Sequence, residues 1–264
     1  MEPRFGRVIT AMITPFAANG SLDLDGAVEL ARWLVEQGND GLVLAGTTGE
    51  SPTLTHDEQI ALVEAVVGAV DCHVIAGAGS NDTAAAVELT ERCTAAGADA
   101  ILTVTPYYNR PSQLGLFHHF RAVAETTTLP VMLYDIPTRS GRKIDTATIL
   151  RLADEVQNVV AVKDAAGDVS ETARLVAAVP EGFEVYSGED ALTLSLLAVG
   201  AVGVVSVASH WATPETVAMV DAFFSGDVAG ATAANQRLIP SWEFESGDLK
   251  PNPIPTKAMM KVLG

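Results

Sequence analysis

The chain has 264 residues, of which 48% are hydrophobic and 19% charged, and a formal net charge of −17. This balance describes a densely packed globular protein, not a disordered one. The acidity argues against nucleic acid or an anionic membrane as a partner. Any anionic substrate would have to be held by local positive groups.

The opening run Met1-Glu2-Pro3-Arg4-Phe5-Gly6-Arg7 lacks the apolar core of a signal peptide, and no later stretch is long and apolar enough to span a bilayer. A cytoplasmic location is expected. Cys72 and Cys93 are too few for a disulfide framework and have no metal-ligand spacing, so both read as ordinary buried thiols.

Apolar runs with strand character fall at 8–13, 41–45, 73–78, 100–105, 130–134, 159–163, 183–187 and 203–207. A helix-like segment follows each. Residues such as Ala27, Leu30, Ala31 and Leu34 recur near the helical period, as do Ile60, Ala61, Val63 and Val67. Helix starts carry their own signals. Thr55-His56-Asp57-Glu58 has the form of a capping box. Asn81-Asp82 and Asp145-Thr146 supply caps, and Thr213-Pro214-Glu215 places proline where a helix has no N–H partner to lose.

Eight strands alternating with eight helices predict a (β/α)8 TIM barrel over residues 1–222 and a short C-terminal helical appendage over 223–264. The appendage is interrupted by Pro251-Asn252-Pro253-Ile254-Pro255. An open doubly wound sheet is the alternative, but it needs a nucleotide-binding turn. Gly77-Ala78-Gly79-Ser80-Asn81-Asp82 begins that pattern and lacks its third glycine.

In a barrel, chemistry belongs at the C-terminal strand ends, and several ends here are polar. Strand two leads into Gly46-Thr47-Thr48-Gly49-Glu50-Ser51, either a tight turn or a cradle of N–H groups and hydroxyls for a carboxylate. It is not a phosphate loop, because no Gly-Lys-Ser/Thr follows. Strand four leads into Pro106-Tyr107-Tyr108-Asn109-Arg110-Pro111, where the tyrosines alone would read as a surface or interface pair. His118-His119 are adjacent on a helix and point in different directions, which argues against a metal. Strand five ends Tyr134-Asp135-Ile136-Pro137-Thr138-Arg139. Alone, Tyr134 reads as a core aromatic and Arg139 as a solvated charge. Strand seven ends at Ser187-Gly188, and strand eight near Val205-Ser206.

Strand six, in the run Val159-Val160-Ala161-Val162-Lys163-Asp164, ends on a cation, Lys163. By itself this reads as a lysine snorkelling to water. Buried, it would differ, because desolvation favours the neutral amine, and a neutral amine forms imines with ketones. Unperturbed, a lysine pKa of ~10.4 leaves about one molecule in a few thousand neutral at pH 7. The co-occurrence of lysine, tyrosines, hydroxyl loop and arginine at one predicted mouth favours the catalytic reading.

Four segments resemble the dihydrodipicolinate synthase family: Gly46 to Ser51, Thr105-Pro106-Tyr107-Tyr108-Asn109-Arg110-Pro111-Ser112-Gln113, Tyr134 to Arg139, and Val162-Lys163-Asp164. The family belongs to the pyruvate-dependent class I aldolases, with N-acetylneuraminate lyase. The resemblance runs along essentially the whole chain. The hydroxyl loop and the Tyr–Lys pair are shared across the superfamily, whereas the Pro-Tyr-Tyr-Asn-Arg-Pro-Ser-Gln run and Arg139 are specific to the synthases.

The resemblance implies that Lys163 forms an imine with pyruvate, which then condenses with L-aspartate 4-semialdehyde in lysine and diaminopimelate biosynthesis. It implies a proton relay of Tyr134, Thr48 and Tyr108, with Tyr108 crossing a dimer interface in a dimer of dimers. It places the pyruvate carboxylate on Thr47 and Thr48, the semialdehyde carboxylate on Arg139, and Gly188 and Val205 along the imine pocket. No metal or organic cofactor is expected, because the imine serves as the electron sink. Ser51, His56, Asn81 and Tyr107 match a lysine effector site in type. Gln59 and Ala85 stand where regulated members carry a histidine and a glutamate, so a vestigial site is expected. The resemblance also implies further C-terminal helices beyond Gly264, the last residue here. The rival readings are a sister aldolase or dehydratase acting on 2-keto-3-deoxy sugar acids or N-acetylneuraminate, and a non-catalytic barrel used for binding.

Overall fold

The structure is a computed structural model that describes residues 2–245 and 247–264; Met1, at the start of the N-terminal run, and Ser246, in the appendage, lie outside the described residues. Eight parallel strands form a closed barrel in sequence order. They are β1 (Val8–Ala11), β2 (Gly41–Leu44), β3 (His73–Gly77), β4 (Ala100–Val104), β5 (Val131–Asp135), β6 (Val159–Asp164), β7 (Glu184–Ser187) and β8 (Gly203–Ser206). Closure is made by β1, which pairs with both β2 and β8. The open sheet is therefore excluded.

The helices outside the barrel are α1 (Leu24–Glu36), α2 (His56–Val67), α3 (Thr83–Ala95), α4 (Gln113–Glu125), the short α5 (Pro137–Ser140), α6 (Thr146–Glu155), α7 (Val169–Ala178) and α8 (Thr193–Ala198). After β8 come α9 (Ser209–Phe224), α10 (Val228–Glu245) and α11 (Ile254–Leu263). The boundary expected at residue 222 falls inside α9, which runs to Phe224 before α10 folds back on it.

Parallel strands are buried on both faces, which is why they read as continuous apolar runs. Successive side chains still alternate between two cores. Ile9, Val43, Ile75, Leu102, Met132, Ala161 and Val205 fill the lumen. Val8, Leu42, Leu44, Val74, Ile101, Leu133, Val162 and Val204 pack outward against the helices. The same alternation decides the site. Ala161 points inward and Val162 outward, so Lys163 points inward; Met132 and Leu133 do the same for Tyr134.

The expected caps mostly form. Thr55 and Glu58 make both halves of the capping box on α2, and the Asp82 carboxylate accepts from the N–H groups of Ala84 and Ala85 on α3. Asp145 precedes α6 as expected, but its side chain makes no capping hydrogen bond. Pro214 lies within α9, just after a kink at Ala212 where φ is −125° and the helical path breaks. The proline therefore opens the second, straight part of that helix.

Candidate active site

Lys163 and Tyr134 are register partners across β5 and β6, and Tyr186 is the register partner of Lys163 on β7. Lys163 is 5% exposed, as is Tyr134. The Lys163 Nζ lies 4.4 Å from the centre of the Tyr134 ring. Burial drives the Lys163 pKa down to about 8, with Arg139 adding to the fall and the carboxylates of Asp190 and Glu189 opposing it. Burial drives the Tyr134 phenol up to about 12, while the Thr47 hydroxyl and Arg139 pull it back. At neutral pH the site therefore holds an amine near its titration point beside a protonated phenol. This is the opposition of environments that acid–base chemistry requires.

Gly188 makes room for the lysine. Its N–H donates to the Asp164 carbonyl at 2.7 Å. A Cβ there would stand 2.9 Å from Lys163 Cγ and 2.9 Å from Ala165 Cβ. Any larger residue would push the amine out of line. Val205 lies in the lumen on β8, buried and in register with Ile9. Asp190, which the sequence reading passed over, accepts from the backbone N–H groups of Val207 at 2.7 Å and Ala208 at 3.2 Å, and from the Ser206 hydroxyl. These bonds fix the Asp190 side chain against the end of β8.

The hydroxyl loop divides into two roles. Thr47 lines a small cavity with Gly46, Ser51, Gly79, Val104 and Tyr134. Thr48 is 3% exposed, and its hydroxyl accepts from the Asn252 side chain at 2.9 Å. The hydroxyl beside the phenol is thus that of Thr47, whereas the sequence reading gives the relay position to Thr48. Adjacent threonines differ by one residue, and sequence does not show which of them turns toward Tyr134.

Among the described residues, the non-glycine positions with positive φ are Ala45, Glu50, Tyr108 and Arg110, at 50°, 60°, 72° and 47°. All four lie in the two loops at the mouth. Strained backbone of this kind collects at functional sites. Tyr108 is 91% exposed, held out on its loop and away from the lumen of its own chain. Arg139 is exposed on α5 and donates to the Asn252 carbonyl at 3.2 Å.

Ser51, His56, Asn81 and Tyr107 are all partly buried around the hydroxyl loop and the α2 and α3 starts. Gln59 is buried, and its amide donates to the Ser51 carbonyl at 3.1 Å, so that group is already engaged. His118 is exposed, while His119 is buried with Nδ1 2.9 Å from the Thr83 hydroxyl, so the two point apart. Cys93 is buried and Cys72 half-buried, and burial raises both thiols, to about 12 and about 11. Neither is primed as a nucleophile.

A closed (β/α)8 barrel with a desolvated amine at the end of its sixth strand has the architecture of the Schiff-base-forming lyases. The chain belongs to the Dihydrodipicolinate synthetase family, whose sequence profile matches residues 4–264. A curated relative from Moorella thermoacetica, the 4-hydroxy-tetrahydrodipicolinate synthase, is 52% identical over 263 residues, covering 99% of this chain and 89% of the relative. A crystal structure of the Cyanidioschyzon merolae synthase with lysine bound superposes with a TM-score of 0.97 at 45% identity, covering 100% of this chain and 90% of that one. The Acinetobacter baumannii enzyme, chloride-inhibited and complexed with pyruvate, gives a TM-score of 0.93 at 35% identity, covering 98% and 89%.

Proposed function

We propose that this chain is a 4-hydroxy-tetrahydrodipicolinate synthase, condensing pyruvate with L-aspartate 4-semialdehyde in the cytoplasm. The observation that carries the reading is the desolvated Lys163 amine, 4.4 Å from the Tyr134 ring, at the mouth of the barrel. Family membership and full-length relatives of that name support it.

The neutral Lys163 amine adds to the ketone carbon of pyruvate, and the resulting carbinolamine loses water to give an imine. Loss of a methyl proton turns the imine into an enamine, whose carbon attacks the aldehyde. The amine of the semialdehyde then attacks the imine carbon, displaces Lys163 and closes the six-membered ring. Because the imine is the electron sink, no metal or organic cofactor is required.

Each of these steps moves a proton. Tyr134 and Thr47 supply the relay on this chain. Tyr108, exposed on its loop, completes the relay in the neighbouring protomer of a dimer, two of which assemble as a tetramer. Thr48 donates a hydrogen bond from its hydroxyl to the pyruvate carboxylate. Arg139 grips the carboxylate of the semialdehyde by charge-assisted hydrogen bonds. A single placed cation can thus capture an anion against a net charge of −17. Gly188 and the backbone at Val205 shape the imine pocket.

Product analysis tests this reading against a sister aldolase. Pyruvate with L-aspartate 4-semialdehyde is expected to yield the cyclic product, and a panel of 2-keto-3-deoxy sugar acids to yield no cleavage. Turnover of the sugar acids alone would transfer the chain to the sister class, and turnover of neither set would favour a binding protein.

Lysine feedback is expected to be feeble. Ala85 offers no carboxylate to the effector's amine, and Gln59 already donates to the Ser51 carbonyl. Loss of one charged partner costs about 1.5–3 kcal/mol of binding, roughly 10- to 150-fold in affinity. A lysine titration of initial rates checks this, and strong inhibition at modest lysine concentration would contradict it.

A further inference from the structure

Asn252 is flanked by two prolines and lies 204 residues from Thr48 along the chain, yet it touches both carboxylate-binding elements at the mouth. Its Nδ2 donates to Thr48 Oγ1 at 2.9 Å. Its Oδ1 accepts from Thr256 Oγ1 at 3.1 Å, in the first turn of α11. Its main-chain carbonyl accepts from Arg139 Nη2 at 3.2 Å. The segment is pinned again one turn later. Lys257 pairs with Glu50 in the hydroxyl loop, and its Nζ lies 4.3 Å from the centre of the Phe16 ring.

A threonine hydroxyl has one proton to give and two lone pairs to receive. Where an amide N–H occupies a lone pair, the hydroxyl proton cannot point at that amide and turns to another acceptor. The Asn252 amide is set with Oδ1 accepting from the Thr256 hydroxyl and Nδ2 donating to Thr48. The buried Thr48 hydroxyl is thereby fixed as a donor on its remaining side.

We propose that Asn252 is a positioning residue for the keto-acid substrate: its amide holds the Thr48 hydroxyl as a donor to the substrate carboxylate, while its main-chain carbonyl steadies Arg139. The inference rests on Thr48 and Arg139 binding carboxylates, as proposed above. It separates the two functions of one residue. The side chain serves pyruvate, and the carbonyl, which every substitution retains, serves the second substrate.

Steady-state kinetics of Asn252→Ala and Asn252→Asp test this, with borohydride trapping of pyruvate as the control. Asn252→Ala is expected to raise the KM for pyruvate about tenfold, the loss of one hydrogen bond to a charged group. The semialdehyde KM should move less than about twofold, since the backbone bond to Arg139 remains. Asn252→Asp has the same shape but only accepts. It draws the Thr48 proton to itself and turns lone pairs toward the substrate carboxylate, so pyruvate KM should rise at least as far as with alanine. A residue that merely tethered the segment would be rescued by aspartate, which can still bond to Thr48.

Adding Asn252→Ala to Thr48→Val should raise pyruvate KM no further, because the two share one interaction. Should Asn252→Ala fail to fold, Thr256→Val, which frees the amide to rotate, carries the same test with a smaller rise in pyruvate KM. Rescue by aspartate, an unchanged pyruvate KM in Asn252→Ala, or parallel rises in both KM values with a falling Tm would overturn the proposal. So would additivity with Thr48→Val or, where Thr256→Val carries the test, an unchanged pyruvate KM. Trapping at saturating pyruvate should still label every variant. If the parent protein itself fails to trap pyruvate, the imine reading fails, and the proposal falls with it for that separate and visible reason.

Discussion

Lys163→Ala is expected to abolish the borohydride-trapped pyruvate adduct and to lower turnover by at least about 10⁴-fold, the scale on which loss of a covalent nucleophile acts. The size of the effect follows from the chemistry, because among the described residues no other lysine is buried in the lumen. Lys143 is engaged by Asp135 and Glu171 on the outer side of β5, with its pKa raised above the ordinary value by those carboxylates against the desolvation that would lower it. Lys257 is paired with Glu50.

The pH dependence of trapping in the unaltered protein carries the same argument. Burial brings Lys163 down to about 8, so the neutral fraction grows as pH rises through that value and then levels. Trapping should follow, with a midpoint near 8. A solvated lysine would go on gaining reactivity toward ~10.4. Stopped trapping assays between neutral and alkaline pH distinguish the two.

The second large effect is expected from Tyr134→Phe. The phenol is protonated at neutral pH, since burial holds its pKa near 12. In the proposed relay it passes a proton along with Thr47, and it does not begin as a phenolate. Removing one positioned acid–base group costs about 10²–10⁴-fold. The loss should appear in kcat and also slow imine formation, because dehydration of the carbinolamine needs a proton. The ring stays in the lumen, so Tm should change little. Exchange of the pyruvate methyl protons with solvent, measured without the second substrate, isolates the step: it should fall in parallel with kcat. Exchange at the parental rate would remove Tyr134 from the relay.

Much of the fold is written locally. Apolar runs bounded by glycine, proline and hydroxyl residues give the eight strands, and the observed strands are those runs trimmed, extended or shifted by a residue or two. The ends differ because pairing, not hydrophobicity, terminates a strand: Ile13 and Ala45 are buried and apolar but lie beyond the last ladder partners. The inward aim of Lys163 and Tyr134 is also legible, since alternation along each strand fixes it once the lumen side is known.

What the sequence hides is contact between distant segments and choice between equivalent neighbours. Pro251-Asn252-Pro253 reads locally as a break in a helical appendage, and nothing near it points to Thr48 or Arg139. Thr47 and Thr48 carry the same chemistry, and only the turn of the loop assigns one to the phenol and the other to Asn252. Asp190 looks like an ordinary surface acid next to Glu189, yet it is buried and held by the backbone of the β8 end. Asp145 shows the converse: a capping residue type in a capping position that leaves its helix uncapped.

Peptide mapping of the protein after reduction with borohydride in the presence of pyruvate tests the central claim most directly. A single modified site is expected, at Lys163 within the β6 peptide, absent when pyruvate or reductant is omitted. A reduced adduct on any other lysine, or an unmodified β6 peptide after exhaustive reduction, would contradict it.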